Sequence, residues 1–298
     1  MQPSETNYYS SLFLASRPKT LVASVLPVVL GSHLAFTQSS SIDIVLLSSI
    51  ILSVLCIQVA TNFFNDSLDN LKGADNADRI GPKRMVSSGQ IPSQSLIIAG
   101  ITFVVMAITF SLPIVAARGL PIIFIGIISL ILSYCYTGGP WPLAYKGLGE
   151  LFVFLFFGLL SVLGSYFLFT KEIYFLLTLP AISIGLLSTA VLNLNNMRDY
   201  QNDKKSNKNT IVVKIGLKAA KRYHYSLLLL SFISAVSYVV LTFTKTVQFI
   251  FLLAYIPLVI HALFVYNNKE ELRLDAELKK VALSTFLFSV LLGLGQVL

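Results

Sequence analysis

Between Ile51 and Gly89 the chain reads ILSVLCIQVATNFFNDSLDNLKGADNADRIGPKRMVSSG, and the fold is decided by how its two halves join. The first eleven residues carry no charge, whereas Asn62–Gly89 holds four aspartates and four cations. A backbone in hydrocarbon has no water to bond and must satisfy its own N–H and C=O groups as a helix. Ile51–Thr61 therefore reads as the end of a membrane helix, despite its β-branched residues. Asn62, Asp66 and Asp69 follow at i, i+4, i+7 and share one face of its continuation. Asn65 lies beside them, and Asp75 and Asp78 fall in the loop beyond.

The rest of the chain agrees. Apolar residues make up 55% of 298, charged residues 12%, and the mean hydropathy is +0.77. A soluble domain of this length needs more charge to cover its surface, so the composition indicates an all-α polytopic membrane protein. Runs long enough to span occur at about 20–37, 43–63, 96–117, 120–136, 148–169, 173–195, 224–243, 248–266 and 281–298, about nine transmembrane helices. No cleavage site of small residues marks the first as a signal peptide. No soluble domain or low-complexity segment interrupts the series, which reads as one domain over 1–298. Cys56 and Cys135 fall inside spans and read as packed thiols.

Charge supports the count. With nine spans, nineteen of the 22 cations fall on the side of the N-terminus, and only Arg118, Lys171 and Lys245 on the other. The positive-inside rule makes the N-terminus and the large loops cytoplasmic in a cell (inner or plasma) membrane. The net charge of +8 is then explained by orientation, membrane lipid and an anionic substrate, with no nucleic acid required.

A second polar cluster, NLNNMRDYQNDKKSNKNT (Asn193–Thr210), lies at the cytoplasmic end of the sixth span, with Asn195, Asp199 and Asp203 at i, i+4, i+8. Both clusters occupy one depth on one side and read as halves of a single site. Crowded carboxylates repel unless cations neutralise them. Hard oxygen donors with amide support suit Mg²⁺, which bridges protein carboxylates to substrate phosphates. Neither cluster offers His or Cys. Lys72, Arg79, Lys83, Arg84, Arg198 and Lys208 interleave with the acids, so the pattern describes a site for a diphosphate with a hydrophobic tail. A charged helix end is by itself only a solvated cap, but two matched clusters at one membrane face point to function.

The chain resembles the UbiA superfamily of intramembrane aromatic prenyltransferases, on ASRPKTLVASVLPVVLGS (Ala15–Ser32), Asn62–Gly89, YTGGPWPLAYKGLGE (Tyr136–Glu150), Asn195–Asp203 and KNTIVVKIG (Lys208–Gly216). NDSLDNLKGAD, DRIGPKR and YTGGPWPLAYKGLGE are similar to the branch that prenylates 1,4-dihydroxy-2-naphthoate in menaquinone synthesis. Where the wider family often has an acid four residues after the second aspartate, this chain has Gly73, with Asp75 two residues on. The resemblance implies nine helices around a central cavity and Mg²⁺ held by Asp66, Asp69, Asp199 and Asp203. It implies that Asn62, Asn65 and Asn195 orient ligands or phosphate, and that Arg79, Arg84, Arg198 and Lys208 take phosphate oxygens. A polyprenyl diphosphate would ionise, and the naphthoate ring would attack the allylic cation with loss of CO₂, giving demethylmenaquinone.

Several residues keep two readings. Tyr134, Tyr136, Trp141 and Tyr145 can line the cavity and stabilise a cation, or form an interfacial belt. Lys146 and Glu150 can bind a substrate's anionic end or pair at i, i+4. Lys19 can meet the naphthoate carboxylate or snorkel as an anchor. His33, His224 and His261 stand singly in the sequence and receive no role. Among other functions, a 4-hydroxybenzoate polyprenyltransferase is the nearest. A transporter would more often bury its acids at mid-span, and the DG…AR…G…D…D pattern of a CDP-alcohol phosphotransferase is missing. The charge partition predicts that a reporter fused after Leu298 lies outside the cytoplasm and one in the Lys204–Lys221 loop inside. Both reporters on one side would overturn the nine-span reading.

Overall fold

The computed structural model describes residues 8–76, 79–268 and 270–298, and every side chain among them except that of Lys19. Asp78 and the Lys19 side chain, both noted above, lie outside the described residues. The chain is helical throughout its described length: α1 (Tyr8–Ala15), α2 (Pro18–Ser39), α3 (Ile44–Leu71), α4 (Ser93–Arg118), α5 (Leu120–Cys135), α6 (Gly149–Phe154), α7 (Ser161–Thr170), α8 (Thr178–Arg198), α9 (Tyr200–Lys205), α10 (Ile211–Leu241), α11 (Tyr255–Asn267) and α12 (Leu274–Val297). A π-helical turn, Leu155–Leu160, joins α6 to α7, and 3₁₀ turns precede α8, α11 and α12.

Eight helical stretches among the described residues are long and apolar enough to cross a membrane. The fourth expected span, α5, is a shorter apolar helix of 16 residues. At about 1.5 Å per residue it reaches less far than the ~30 Å hydrocarbon layer. The chain turns tightly at Gly119 and after α7 at Lys171, both with positive φ, 71° and 62°. Lipid, not protein, is the partner of much of this surface. Only 17% of the apolar window of α4 is buried, and Ile98, Ile101, Val105 and Leu112 point outward.

Two apolar clusters frame the molecule. The larger draws on α2, α7, α8, α10, α11 and α12, with Leu30, Ile184, Leu194, Val281 and Phe288 completely enclosed. The smaller joins α1, α3, α4 and the loop after α3 through Ala15, Phe63, Met85 and Leu96. Gly158 in the π turn and Gly185 in α8 let two backbones touch, because a Cβ on Gly158 would meet Ala181 O at 2.7 Å and Gly185 Cα at 2.8 Å. Close approach through small residues is how helices pack without a hydrophobic driving force.

Two sequence expectations change. Asn195, Asp199 and Asp203 were expected on one face of a continuous helix, but α8 ends at Arg198 and Asp199 leaves helical geometry (φ −92°, ψ 10°) before α9 begins. The i+4 bonds Asp199 N–H to Asn195 O (3.0 Å) and Asp203 N–H to Asp199 O (2.8 Å) survive the break. The histidines also prove not to be single: His224 Nε2 lies 2.8 Å from His261 Nε2, and His261 Nδ1 lies 2.6 Å from Glu277 Oε2. Lys280 closes this chain on Glu277. The consistent tautomers have His261 Nδ1–H donating to the carboxylate and His224 Nε2–H donating to His261. α10, α11 and α12 are thereby tied through a polar chain that a helical wheel cannot reveal.

Removing the acceptor should therefore loosen the bundle. Glu277→Leu leaves the buried His261 Nδ1–H without its acceptor, and an unmet buried donor costs about 1–3 kcal/mol. Thermal unfolding in detergent should show a clearly lowered Tm, and an unchanged Tm would mean the chain is no tie.

Candidate active site

The polar site forms where the loops after α3, α5 and α8 meet between the two apolar clusters. α3 carries Asp66 and Asp69 on its last turns, both almost fully buried. Asp66 accepts the backbone N–H groups of Met85 and Val86, each at 3.1 Å, which folds the following loop back over the helix end. Asp69 joins three segments: Tyr145 Oη donates to it at 2.8 Å, Lys208 Nζ at 3.3 Å, and Arg84 lies 3.6 Å away.

The second cluster closes on the first. Arg198 grips Asp199 bidentately (2.8 and 2.7 Å), donates to Asn195 Oδ1 at 2.5 Å and reaches Asp275 of α12 at 2.8 Å. Arg79 pairs with Asp75 at 3.1 Å and approaches Asp199 at 4.0 Å. Arg84 shares the same Asp75 oxygen at 3.2 Å. Asn202 Nδ2 donates to Ala74 O at 2.7 Å, fastening α9 to the loop of the first motif. The two halves read from sequence are thus brought into one network.

Its electrostatics are those of an acidic cluster held by fixed cations. Burial, reinforced by the charge of Asp69, pushes the Asp75 carboxyl up to about 7. Burial also pushes Asp203 up to about 7 against the attraction of Lys208, with Asp199 and Asp69 adding repulsion. Burial alone would discharge Lys208, but Asp69, Asp203 and Asp75 outweigh it and hold its pKa above the usual lysine value. Arg17 is lowered by burial and by Arg79.

The expected site residues separate into groups. Asp66, Asp69, Asp199, Asp203, Arg79, Arg84, Arg198 and Lys208 come together. Lys72 bonds Thr137 O and lies 4.7 Å over the Tyr145 ring. Asn65 faces the same loop, accepting from Thr137 Oγ1 at 2.8 Å. Asn62 does not face the carboxylates: its amide donates to Ser16 O (2.8 Å) and Thr20 Oγ1 (3.0 Å), anchoring the α1–α2 junction. Tyr145 and Tyr136 are interior, whereas Trp141 is 66% exposed. Lys146 is exposed, 6.0 Å over the Trp141 ring, and forms no pair with buried Glu150, whose Oε1 accepts from Asn196 Nδ2 at 2.8 Å.

Sequence reading gave Arg17 no role and left that of Asp75 open. Arg17 sits beside Asp66, Asp75 and Asp69 in left-handed backbone (φ 51°, ψ 69°), with a buried guanidinium nitrogen lacking a protein partner. Asp75 bridges Arg79 and Arg84 and keeps Oδ2 buried and unpartnered. The strained residue before Pro18 was the available signal for Arg17. The double pairing of Asp75 depends on the loop path and left none.

The chain matches the model of the UbiA prenyltransferase family over residues 24–290. It belongs to that family. This UbiA family member is 36% identical over 285 residues to a 1,4-dihydroxy-2-naphthoate octaprenyltransferase of Escherichia coli, covering 94% of this chain and 92% of the relative. Enzymes of the same name from Haemophilus influenzae and Bacillus subtilis are 35% and 31% identical, over 94% and 98% of this chain and 93% and 94% of theirs. Its fold is shared with a UbiA homolog from Archaeoglobus fulgidus bound to GPP and Mg²⁺ (TM-score 0.70, 16% identity, 97% of this chain and 100% of that one). The protein is a multi-pass membrane prenyltransferase of the all-α class.

The donor set fits a hard divalent cation. Its ligand atoms are carboxylate and amide oxygens, one buried carboxylate oxygen, Asp75 Oδ2, is orphaned, and burial raises the carboxyls of Asp75 and Asp203. No three acids among the described residues converge on one point, and Lys208, Arg84 and Arg198 pair with the carboxylates. Gly81 underlies this arrangement: a Cβ there would meet Arg198 Nη2 at 2.5 Å and Arg79 Nη2 at 2.8 Å. Both guanidiniums are already fixed by carboxylates. Gly81→Ala should lower kcat/KM for the prenyl donor about tenfold or more, as misplaced positioning groups do, with little change in Tm. Unchanged kinetics would show that the guanidiniums move aside freely.

Proposed function

We propose that this chain transfers a polyprenyl group from polyprenyl diphosphate to 1,4-dihydroxy-2-naphthoate, releasing diphosphate and CO₂ and forming the demethylmenaquinone skeleton. The observation that carries the reading is the junction of two Asp/Asn clusters through Lys208–Asp69 and Arg79–Asp199, with basic side chains in between, at the mouth of apolar helices. The three relatives named for that reaction support the choice of acceptor.

Lys208, Arg84, Arg79 and Arg198 bind the diphosphate, their fixed charges suited to phosphate oxygens. Arg17 adds an unused donor from the opposite wall. As the allylic C–O bond breaks, the electron pair leaves with the diphosphate, and these cations neutralise the growing charge. Mg²⁺, held by Asp66, Asp69, Asp199 and Asp203, supplies further charge neutralisation when bound. Tyr145, anchored on Asp69, presents an aromatic face beside the cluster for the allylic cation. The electron-rich ring attacks, and the carboxylate leaves as CO₂. The charge partition supports a site on the cytoplasmic side of a cell membrane, and this reading counts α5 as a span alongside the eight longer ones and takes residues 1–298 as one domain.

Membranes containing the protein, supplied with Mg²⁺, a long prenyl diphosphate and either 1,4-dihydroxy-2-naphthoate or 4-hydroxybenzoate, should give a prenylated product by mass only from the naphthoate. Asp66→Ala, Asp69→Ala, Asp199→Ala and Asp203→Ala should each cut turnover by at least about 10²-fold while the protein still inserts. Raised carboxyls mean that the folded protein binds more protons than the unfolded chain between pH of about 4 and about 7, so stability without metal falls as pH rises through that window. A cation that needs ionised carboxylates should therefore raise Tm more at pH 8 than at pH 6. Product from 4-hydroxybenzoate alone, or a fully active Asp199→Ala protein, would refute the assignment.

A further inference from the structure

Asp199 sits at a break between two helices, and a distant part of the chain reaches across that break. α8 ends at Arg198 and α9 begins at Tyr200. Backbone bonds continue past the break, but the direction of the Asp199 side chain is set by what grips it. Asp275, in the first turn of α12, accepts from Arg198 Nη1 at 2.8 Å on the α8 side. Glu271, in the turn before α12, accepts from the Gln201 side chain on the α9 side.

Arg198 is the residue through which this reach acts. A guanidinium has five N–H donors in a fixed fork. Two of those of Arg198 go to Asp199, one to Asn195 and one to Asp275, which leaves one for a phosphate oxygen. Asp199 takes the Nε and Nη2 side of the fork, and Asp275 takes the remaining nitrogen. The plane of the guanidinium, and with it the aim of the Asp199 carboxylate, therefore depends on where α12 presents Asp275.

A buried polar chain fixes that presentation. Glu277 stands two residues after Asp275, about 200° round the helix, so the two carboxylates leave α12 on different sides. Glu277 accepts from His261 Nδ1 of α11 at 2.6 Å, His261 Nε2 lies 2.8 Å from His224 Nε2 of α10, and Lys280 holds the other Glu277 oxygen. Both histidines are completely buried, and Glu277 almost so. Rotating α12 would strand these groups without partners, which burial makes costly, so the chain holds one rotation.

We infer that the first turn of α12 positions the second aspartate motif: Asp275 acts through Arg198 on Asp199 and Asn195, and Glu277, His261 and His224 hold the rotation that presents Asp275. The inference rests on the proposed role of Asp199 in holding a cation against diphosphate. It gives four further residues a part in that step without making any of them a ligand.

The test measures kinetics and cation affinity together. Asp275→Ala should lower kcat/KM for the prenyl diphosphate about tenfold, since small misplacements at a reacting centre cost this much or more. KM for the naphthoate should stay unchanged. In thermal unfolding with inorganic diphosphate present, the Mg²⁺ concentration giving half of the Tm rise should increase at least about threefold, a readout independent of turnover. Asp275→Asn keeps an acceptor for Arg198 and should recover most of both losses. Glu277→Ala should lower kcat/KM as well as Tm, whereas a merely structural glutamate would lower Tm alone. Combined with Asp275→Ala, its kinetic loss should not add, because both act through Arg198. Should Glu277→Ala not fold, His261→Gln takes its place in the pair. Asp275→Ala with wild-type kinetics and Mg²⁺ requirement overturns the inference and leaves the proposed function standing. Additive kinetic losses in the pair overturn the part given to Glu277, His261 and His224. Wild type that is stabilised by Mg²⁺ and diphosphate but prenylates no naphthoate overturns the proposed function alone.

Discussion

Everything at the charged end of this bundle depends on keeping like charges buried together. Asp66, Asp69, Asp75, Asp199 and Asp203 occupy one poorly solvated region, and no arrangement of carboxylates alone would be stable there. The chain meets the cost by interleaving guanidiniums and lysines with the acids: Lys208 and Arg84 hold Asp69, Arg79 and Arg84 hold Asp75, and Arg198 holds Asp199. Lys208 reaches Asp69 across 139 residues, and Arg198 reaches Asp275 across 77. Charge balance, more than apolar packing, specifies which loops must meet. The same balance gives the site its chemistry, because an anionic ligand and its counter-cations can replace these internal pairs without leaving any charge uncompensated.

This explains what the sequence could and could not disclose. The spans were legible because hydrocarbon allows one backbone solution, and an apolar run of sufficient length has no alternative. The i, i+4, i+7 spacing of Asn62, Asp66 and Asp69 correctly indicated that α3 continues into the polar segment. Rotation about that helix was less legible. Asn62 lies on the same stripe as the aspartates, yet its amide turns to the α1–α2 junction, because Ser16 and Thr20 offer closer partners. Helix breaks such as Asp199, and pairs set by loop paths, such as Asp75 with Arg79 and Arg84, carry no periodic signal. The histidine chain through Glu277 was hidden for the same reason: each member lies on a different helix.

The aromatic loop shows how one motif divides its work. Its residues looked interchangeable by composition, but the fold sends Tyr145 inward to Asp69 and leaves Trp141 on the surface beneath Lys146. Glu150, four residues after Lys146, is carried to the opposite side of the wall by the first turn of α6. The π turn that follows it, and the glycine contact with α8, hold these two helices close.

The contact between Arg198 and Asp275 places a requirement on how the protein is made. α12 leaves the ribosome well after α8, yet its first turn supplies one of the carboxylates that fix the arginine at the end of α8. Until α12 has inserted, Arg198 has only its own neighbours Asn195 and Asp199 to hold it, and the second half of the site lacks its outer brace. The nascent bundle can therefore bury its apolar helices in order, one after another, while the charged end stays unassembled. The brace on Arg198 is then completed only when α12 packs beside α8, so the charged end depends on a helix far along the chain.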